Sequence, residues 1–375
     1  MIKAPKTVLV PAGRFGSHLS GLPAGRGLVR ESLDDAAAAR VPALHENHFF
    51  PNALYRDLIG WWNLGGAEPL LITGPAGSGK TSSVLQFAAR LSLPVVVFTA
   101  RPRMDRRELV GRWVMGERGM RWVDGPAALA WRNGWLLLVN EFSAAPAETW
   151  VSANDLLEGL PLENDQTGEV IPRHPMARII FTDNSRGHAS AMESGYFGRQ
   201  IQDRSVVDRM WHVRLEGLDE AREAELLVKS APAALVEKTG AAAAGRLGEL
   251  LARAGAETRC SGNASAIGFS NNTIALSHRA LERMMRIMLA YAAGEMPLTD
   301  DPVAWAADSA VGNALDRPVR DALATYLKTL FGDELAALRA RCAQKSATLE
   351  AGRRGFAPDG GMFDESAFFD VRAAS

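Results

Sequence analysis

The sequence predicts an α/β fold in which a doubly wound, five-stranded parallel sheet is followed by an α-helical domain. Between residues 69 and 215, short apolar segments alternate with segments of helical periodicity, which is the pattern of a parallel sheet covered by helices. The strand segments are almost wholly apolar, as expected for strands buried on both faces. After about Glu216 the strand pattern stops, and amphipathic segments rich in Ala, Leu, Arg and Glu follow.

The first part of the chain differs from the rest in composition and periodicity. Residues 1–44 are rich in Gly, Ala, Pro and Arg with weak periodicity, which indicates an irregular arm or a loosely attached extension. From His48 onward, residues 51–66 show helical spacing and end in a Gly-Gly stop. The predicted division of the chain is an arm at 1–44, an α/β domain at 45–216, an α-helical lid domain at 217–340 and a tail at 341–375.

The individual elements follow from the same patterns. The five strands are predicted at Pro69–Thr73, Pro94–Thr99, Trp135–Val139, Arg178–Thr182 and Trp211–Leu215. Helices fall between them, and the helices of the second domain are predicted at 218–230, 243–256, 277–293 and 315–340.

A glycine-rich loop joins the first strand to its helix. Its sequence, Gly74-Pro75-Ala76-Gly77-Ser78-Gly79-Lys80-Thr81, matches the pattern G-x-x-x-x-G-K-[ST] in full. Such a loop turns its backbone N–H groups toward phosphate oxygens, and the helix that follows, with Ser82 in its first turn, adds its N-terminal dipole. Lys80 would neutralise the β- and γ-phosphates, and the Thr81 hydroxyl would be a Mg²⁺ ligand. The loop therefore predicts binding of a nucleoside triphosphate with Mg²⁺, and ATP is the favoured nucleotide.

The third strand ends in Asn140-Glu141, where P-loop ATPases normally carry Asp-Glu. Glu141 is the candidate catalytic base that polarises the attacking water, and the alternative is a solvated carboxylate at a strand end. Asn140 is a departure from the pattern. Its amide oxygen can orient a metal-bound water but brings no charge to the ion, so weaker Mg²⁺ affinity or slower turnover is expected.

Three further residues, two of which have a reserve candidate, could contact the γ-phosphate. Asn184 follows the fourth strand and could position water, with Asp183 as the reserve candidate. Arg209, or less favourably Arg204, precedes the fifth strand and suits an arginine finger that acts on a neighbouring subunit's nucleotide, the alternative being a surface ion pair. Arg279 begins a helix capped by a Ser and could reach the nucleotide from the lid, although an ordinary helix-surface Arg would look the same.

Taken in order, these motifs resemble the AAA+ ATPases, within the MoxR branch that is related to magnesium-chelatase subunits, and most nearly the AAA+ subunit of aerobic cobaltochelatase. The likeness extends from about Val41 to Arg286. Besides the motifs above, it rests on Val41-Pro42, Phe49-Phe50, Glu108–Gly111, Asp124–Pro126, Gly134, Leu156–Gly159, Ile171–Pro175 and Asp208-Arg209.

The resemblance carries its own expectations. It implies a hexameric ring with ATP at subunit interfaces, a β-hairpin inserted at about Leu160–Val170, and a partner that bears a von Willebrand factor A domain. Remodelling of a client protein, or a chelatase-like role in metal insertion, would then be the work done. The Asn140 departure leaves open a slow or non-hydrolysing nucleotide-gated scaffold. A nucleic-acid-directed motor of a restriction or defence system is a further alternative.

Composition bears on the possible partners and on the location of the protein. The chain carries 42 Lys and Arg against 43 Asp and Glu, so no global field draws it onto nucleic acid or an anionic membrane. The two cysteines, Cys260 and Cys342, lack metal-ligand spacing and are expected to be reduced thiols. Without an apolar run long enough for a signal peptide or a membrane span, the expected location is the cytoplasm.

Overall fold

The N-terminal segment is ordered and packed against the rest of the protein. The computed structural model describes residues 6–117, 119–184, 200–259, 275–295 and 301–354. Strand β1 (Thr7–Val10) pairs antiparallel with β2 (Gly25–Leu28), and the short helix α1 (Asp35–Ala38) follows. The expectation of an irregular, loosely attached arm is therefore wrong for residues 6–44.

Aromatic packing attaches this segment. The Phe15 ring is fully buried, and its centroid lies 5.3 Å from that of Phe50 and 5.0 Å from that of Tyr55. The backbone contributes as well, because the Leu28 N–H donates to the Leu91 carbonyl at 2.8 Å. Single apolar residues among glycines reach the core here without helical or strand periodicity. The sequence pattern therefore did not indicate that this segment is ordered.

Replacing Phe15 with Ala is expected to lower the free energy of unfolding by about 3 kcal/mol or more, because a large buried side chain leaves a cavity. Leu9→Ala is the matched control in the same segment. Leu9 is 70% exposed, so its loss is expected to cost less than about 0.5 kcal/mol. Denaturant unfolding of the two variants measures both values, and equal small losses would mean that the segment is only loosely attached.

The α/β domain follows the predicted alternation of strands and helices. Its helices are α2 (Asn52–Leu64), α3 (Lys80–Arg90), α4 (Arg106–Val110), α5 (Pro126–Asn133), α6 (Ala147–Ser152), α7 (Asn154–Leu157) and α8 (Arg204–Asp208). Its strands are β3 (Leu70–Thr73), β4 (Val95–Thr99), β5 (Gly111–Gly116), β6 (Gly119–Asp124), β7 (Leu136–Asn140), β8 (Leu162–Asn164), β9 (Glu169–Ile171), β10 (Arg178–Asp183) and β11 (Trp211–Arg214).

The central sheet has five parallel strands in the order β11-β3-β10-β7-β4, which confirms the predicted fold class. Each predicted strand is present within one residue of its expected bounds. In the register of the sheet, Asn140 at the end of β7 is level with Thr182 on β10 and with Thr99 on β4. The carboxyl ends of the strands therefore meet at one edge, where a doubly wound sheet binds its ligands.

Two antiparallel hairpins in this domain form separate two-stranded sheets. Strands β8 and β9 pair in the region where the resemblance implied an inserted hairpin. Strands β5 and β6 form a second hairpin that the sequence analysis did not predict. Its side chains Met115 and Met120 are 77% and 60% exposed, so this hairpin presents apolar side chains to solvent.

The second domain is helical, as predicted. Its helices are α9 (Glu220–Ser230), α10 (Ala233–Thr239), α11 (Ala241–Arg259), α12 (His278–Ala292), α13 (Pro302–Ala310), α14 (Arg317–Phe331) and α15 (Glu334–Arg354). They enclose a core of their own that includes Leu251, Met284, Met288 and Leu327.

The helical domain differs from the sequence prediction in three places. Helices α10 and α13 were not predicted, and the expected helix at 315–340 is two helices separated near Gly332, whose φ is 47°. Helix α15 continues past the predicted boundary at residue 340, and residues 355–375 of the predicted tail lie outside the described part of the chain. Within the described ranges, no helix combines the length and apolar character needed to cross a membrane.

Candidate active site

The glycine-rich loop connects β3 to α3 at the carboxyl edge of the sheet. Gly77 and Gly79 have φ values of 76° and 88°, a left-handed conformation that favours glycine. A Cβ atom on Gly77 would lie 2.5 Å from the Cβ of Ser277, so the helical domain lies directly against this loop. The loop thus has the backbone that the motif requires, and the second domain closes over it.

The Lys80 ammonium lies inside the loop. Its Nζ donates hydrogen bonds to the Gly74 carbonyl at 2.8 Å and to the Pro75 carbonyl at 2.7 Å, and the side chain is buried. Because Lys80 is the first residue of α3, its charge lies next to the positive end of the helix dipole. Both charges favour an anion, which suits the predicted phosphate contact.

Thr81 and Asn140 meet at the start of α3. The Thr81 hydroxyl donates to the Asn140 Oδ1 at 2.7 Å, and the Thr182 hydroxyl donates to the same oxygen at 2.9 Å. A hydroxyl oxygen and an amide oxygen are hard donors of the kind that Mg²⁺ binds directly or through water. The two predicted metal-site residues are therefore adjacent, and their chemistry fits the ion.

Glu141 faces Asn184 across the strand ends. The Asn184 Nδ2 lies 3.2 Å from both carboxylate oxygens of Glu141. The backbone of Glu141 is left-handed, with φ 61° and ψ 47°, which is uncommon for a residue other than glycine and often accompanies a functional position. The structure thus brings the predicted base and the predicted water-positioning residue together.

Asp183, the reserve candidate, has a different set of contacts. Its Oδ1 accepts from the Ser143 N–H at 3.1 Å and from the Ser143 hydroxyl at 2.7 Å, and both residues are buried. These bonds fix the turn that follows Glu141. Sequence reasoning missed Ser143 and Thr182, because a Ser in a turn and a Thr in a strand carry no motif of their own.

A cavity of about 640 Å³ lies beside the phosphate loop. The volume is within the ordinary range of small-molecule sites. Lys80, Thr81, Glu141 and Asn184 line it together with apolar side chains that the sequence analysis did not assign to the site. These are Phe49, Leu54, Leu215, Leu218 and Leu226.

Uncharged and aromatic groups from the segment before α2 also line the cavity. Burial, with further contributions from Arg90 and His45, lowers the pKa of His48 to about 4, so this side chain is neutral at pH 7. The Phe49 ring stacks on the His18 ring at 4.9 Å, and the Arg222 guanidinium carbon lies 4.2 Å from the Phe49 centroid. Phe49 therefore joins the N-terminal segment to helix α9 beside the cavity.

The helical domain contributes Arg279 to the cavity lining, as the sequence predicts. Ser277 caps helix α12 by accepting the Ala280 N–H at 3.3 Å, which fixes the start of that helix. Beside it, His278 and Arg259 hydrogen-bond the buried Glu223. Burial alone would raise the pKa of Glu223, but these two partners outweigh it and hold the pKa below its ordinary value.

Arg209 does not line this cavity. Its Nε donates to the Glu158 Oε1 at 3.1 Å, so the guanidinium has an intramolecular acidic partner. Arg204 is exposed. Neither arginine is among the residues that line the cavity beside the chain's own phosphate loop. The arginine-finger role stays a prediction that requires a neighbouring subunit.

Comparison with known proteins agrees with this arrangement. The family model described as an AAA domain of the dynein-related subfamily matches residues 69–205, which include the phosphate loop, Glu141 and Asn184 but neither Arg209 nor Arg279. Protein CbbQ of Hydrogenophilus thermoluteolus is 34% identical over 128 residues, which are 33% of this chain and 47% of that protein.

Two further relatives show the same range of likeness. The denitrification regulatory protein NirQ of Stutzerimonas stutzeri is 33% identical over 117 residues, covering 31% of this chain and 42% of the relative. The gas vesicle ATPase GvpN of Haloferax mediterranei is 29% identical over 188 residues, covering 44% of this chain and 51% of the relative. The chain thus spans about half the length, or less, of these three curated relatives.

Proposed function

Because this chain is an AAA+ protein of the MoxR type, with its AAA domain at residues 69–205, we propose that it is a Mg²⁺-dependent ATPase that remodels a partner or client protein. The observation that carries this proposal is the joint placement of Lys80, Thr81, Glu141 and Asn184 around one cavity. A phosphate-binding group, a metal-binding hydroxyl, a carboxylate base and an amide that can hold water are what ATP hydrolysis requires.

Each residue then has a defined task. The loop N–H groups and Lys80 bind the β- and γ-phosphates, and Asn184 holds Glu141 so that its carboxylate can orient and polarise a water molecule. When Mg²⁺ is bound, it supplies positive charge to the phosphate oxygens, and Thr81 and Asn140 are the residues that would hold it. Arg279 would contact the nucleotide from the helical domain, and Arg209 would act from the next subunit.

The ring and its partner are further parts of the proposal. Arg209 does not line the cavity of its own chain. An arginine finger at this position would therefore act on the ATP of a neighbouring subunit, in a ring that we take to be hexameric. A partner with a von Willebrand factor A domain and a chelatase-like role rest only on the resemblance of the sequence. The relative NirQ is named a regulatory protein of denitrification, and regulation of another protein is the kind of task proposed here.

Two experiments test the proposal. Steady-state release of phosphate from ATP, measured with Mg²⁺ and again with EDTA, tests the enzyme, and added DNA or RNA tests the nucleic-acid motor. Mass photometry with a slowly hydrolysed ATP analogue tests the ring. A strict monomer at micromolar concentration, or hydrolysis that depends on nucleic acid, would contradict the proposal, and co-purification identifies the partner.

Asn140→Asp is expected to lower the Mg²⁺ concentration needed for half-maximal hydrolysis by about tenfold, because a carboxylate adds a full charge near the ion. Asn133→Asp is the matched control. This substitution makes the same chemical change at an exposed residue at the end of α5. A Mg²⁺ titration of the wild type and both variants gives the three values. Turnover that appears only in Asn140→Asp would favour the nucleotide-gated scaffold.

A further inference from the structure

We propose that Thr182 is a positioning residue that selects which end of the Asn140 amide faces Thr81. With its amide held in this orientation, Asn140 can take the place of the aspartate that P-loop ATPases normally carry at this position. The inference rests on the proposed Mg²⁺-dependent use of ATP at this site. It concerns how this particular chain makes up for the missing carboxylate.

The three side chains form one short network. Asn140 Oδ1 accepts two hydrogen bonds, from Thr81 Oγ1 at 2.7 Å and from Thr182 Oγ1 at 2.9 Å. Asn140 and Thr182 are paired across β7 and β10 in the register of the sheet. Only 3% of Thr182 is exposed, although the residue lies at the wall of the cavity. The sheet thus fixes the donor beside the amide it must orient.

The orientation of the amide matters because its two ends are chemically different. A hydroxyl that offers its oxygen to Mg²⁺ must direct its proton to an acceptor elsewhere. An aspartate presents an oxygen in either orientation, whereas an asparagine presents an acceptor at one end and an N–H₂ donor at the other. Only the oxygen end of Asn140 can accept the Thr81 proton while the Thr81 oxygen remains available to the metal.

Thr182 distinguishes the two orientations by its own proton. Within the described ranges of the chain, Asn140 is the one hydrogen-bond partner found for the Thr182 hydroxyl. If the amide turned by half a revolution, its N–H₂ group would face this hydroxyl, and the buried O–H would lose its acceptor. A buried donor left without an acceptor is costly, so the network favours the orientation in which the oxygen faces Thr81.

The chain provides a matched control for this argument. Asn140 is level with Thr182 on one neighbouring strand and with Thr99 on the other. Thr99 is exposed, and within the described ranges of the chain its hydroxyl makes no hydrogen bond to the Asn140 side chain. Thr182→Val and Thr99→Val are therefore the same substitution at the same level of the sheet, and only the first removes a donor from the amide.

The test is a double-mutant cycle read by binding. The affinity for a fluorescent ATP analogue is measured at increasing Mg²⁺ concentration in the full chain, in Thr182→Val, in Asn140→Asp and in the double variant. In the Asn140 background, Thr182→Val is expected to raise the Mg²⁺ concentration for half-maximal tightening by about tenfold, and in the Asp background by less than about twofold. Thr182→Ser is expected to restore the wild-type value, and Thr99→Val to leave it unchanged.

The outcomes separate this inference from the function on which it rests. A wild-type chain that binds no ATP analogue, or binds it without any response to Mg²⁺, overturns the proposed function. A wild-type chain that responds to Mg²⁺ while Thr182→Val shifts both backgrounds equally, or neither, overturns the role of Thr182 alone. Failure of Thr182→Ser to restore the response does the same, because serine keeps the hydroxyl.

Discussion

Glu141→Gln is expected to reduce steady-state ATP hydrolysis by at least about 100-fold, because general-base catalysis contributes about that much or more. Binding of ATP is expected to stay within about twofold of wild type, since glutamine has nearly the same shape and Lys80 is untouched. The variant would therefore bind ATP and retain it. Phosphate release and equilibrium binding, measured on the same preparation, give the two values.

The geometry explains why the effect should fall on the chemical step. Glu141 is held in a left-handed backbone conformation, and the turn after it is fixed by the bonds from Ser143 to Asp183. A strained backbone that is supported from both sides is typical of positions where a side chain must be placed accurately. Glutamine would keep this placement but cannot accept a proton from water.

Glu148→Gln is the control for this prediction. Glu148 is exposed in helix α6, seven residues further along the chain, and does not line the cavity. Its substitution makes the same chemical change and is expected to leave hydrolysis within about twofold of wild type. If Glu141→Gln turned over ATP at the wild-type rate, another group would have to be the base.

The sheet and the phosphate end of the site could be predicted because local sequence determines them. A buried parallel strand is a continuous apolar run, and the loop after β3 has glycine where its backbone must be left-handed. Asn140, Glu141 and Asn184 could be placed because parallel strands end at one edge of a sheet. In each case the signal lies in a few consecutive residues.

Other parts of the fold and of the site depend on contacts between distant residues and carry no such signal. Phe15 reaches Phe50 and Tyr55 from an aperiodic segment, and the sequence around it indicates only a loose arm. Thr182 gains its role from its level beside Asn140 in the sheet, which depends on the register of β7 and β10. Arg222 lies on Phe49 through the packing of two domains. Tertiary structure determines all three contacts.

The contact between the two domains also bears on how ATP binding could be transmitted. Ser277 lies against Gly77 of the phosphate loop and caps the helix that carries Arg279. A change in the conformation of the loop on phosphate binding would therefore act directly on the start of α12. Because the helical domain has its own core, movement at this contact would shift that domain as a unit.

Arg209→Ala is expected to reduce hydrolysis by about 1,000-fold, because a finger in trans contributes on that order to phosphoryl transfer. Lys80→Ala is expected to abolish hydrolysis by loss of phosphate binding, since its ammonium lies at the centre of the loop. The two defects lie on opposite sides of a shared site. Mixing the two inactive proteins should therefore restore activity.

The recovery has a predictable size. In rings assembled at random from equal amounts of the two variants, about one quarter of interfaces pair an intact Lys80 with an intact Arg209. Hydrolysis per subunit should approach that fraction of the wild-type rate after the subunits exchange. Arg204→Ala tests the alternative finger. This variant should be active by itself, without mixing, if Arg209 is the finger.

The mixing experiment distinguishes two roles for Arg209, which is paired with Glu158 in its own subunit. If Arg209 only stabilises its own subunit through Glu158, then Arg209→Ala subunits are defective wherever they sit, and mixing restores nothing. If Arg209 acts across the interface, an Arg209→Ala subunit keeps an intact phosphate site and recovers activity beside a Lys80→Ala neighbour. Two inactive variants that stay inactive after subunit exchange would contradict the shared site.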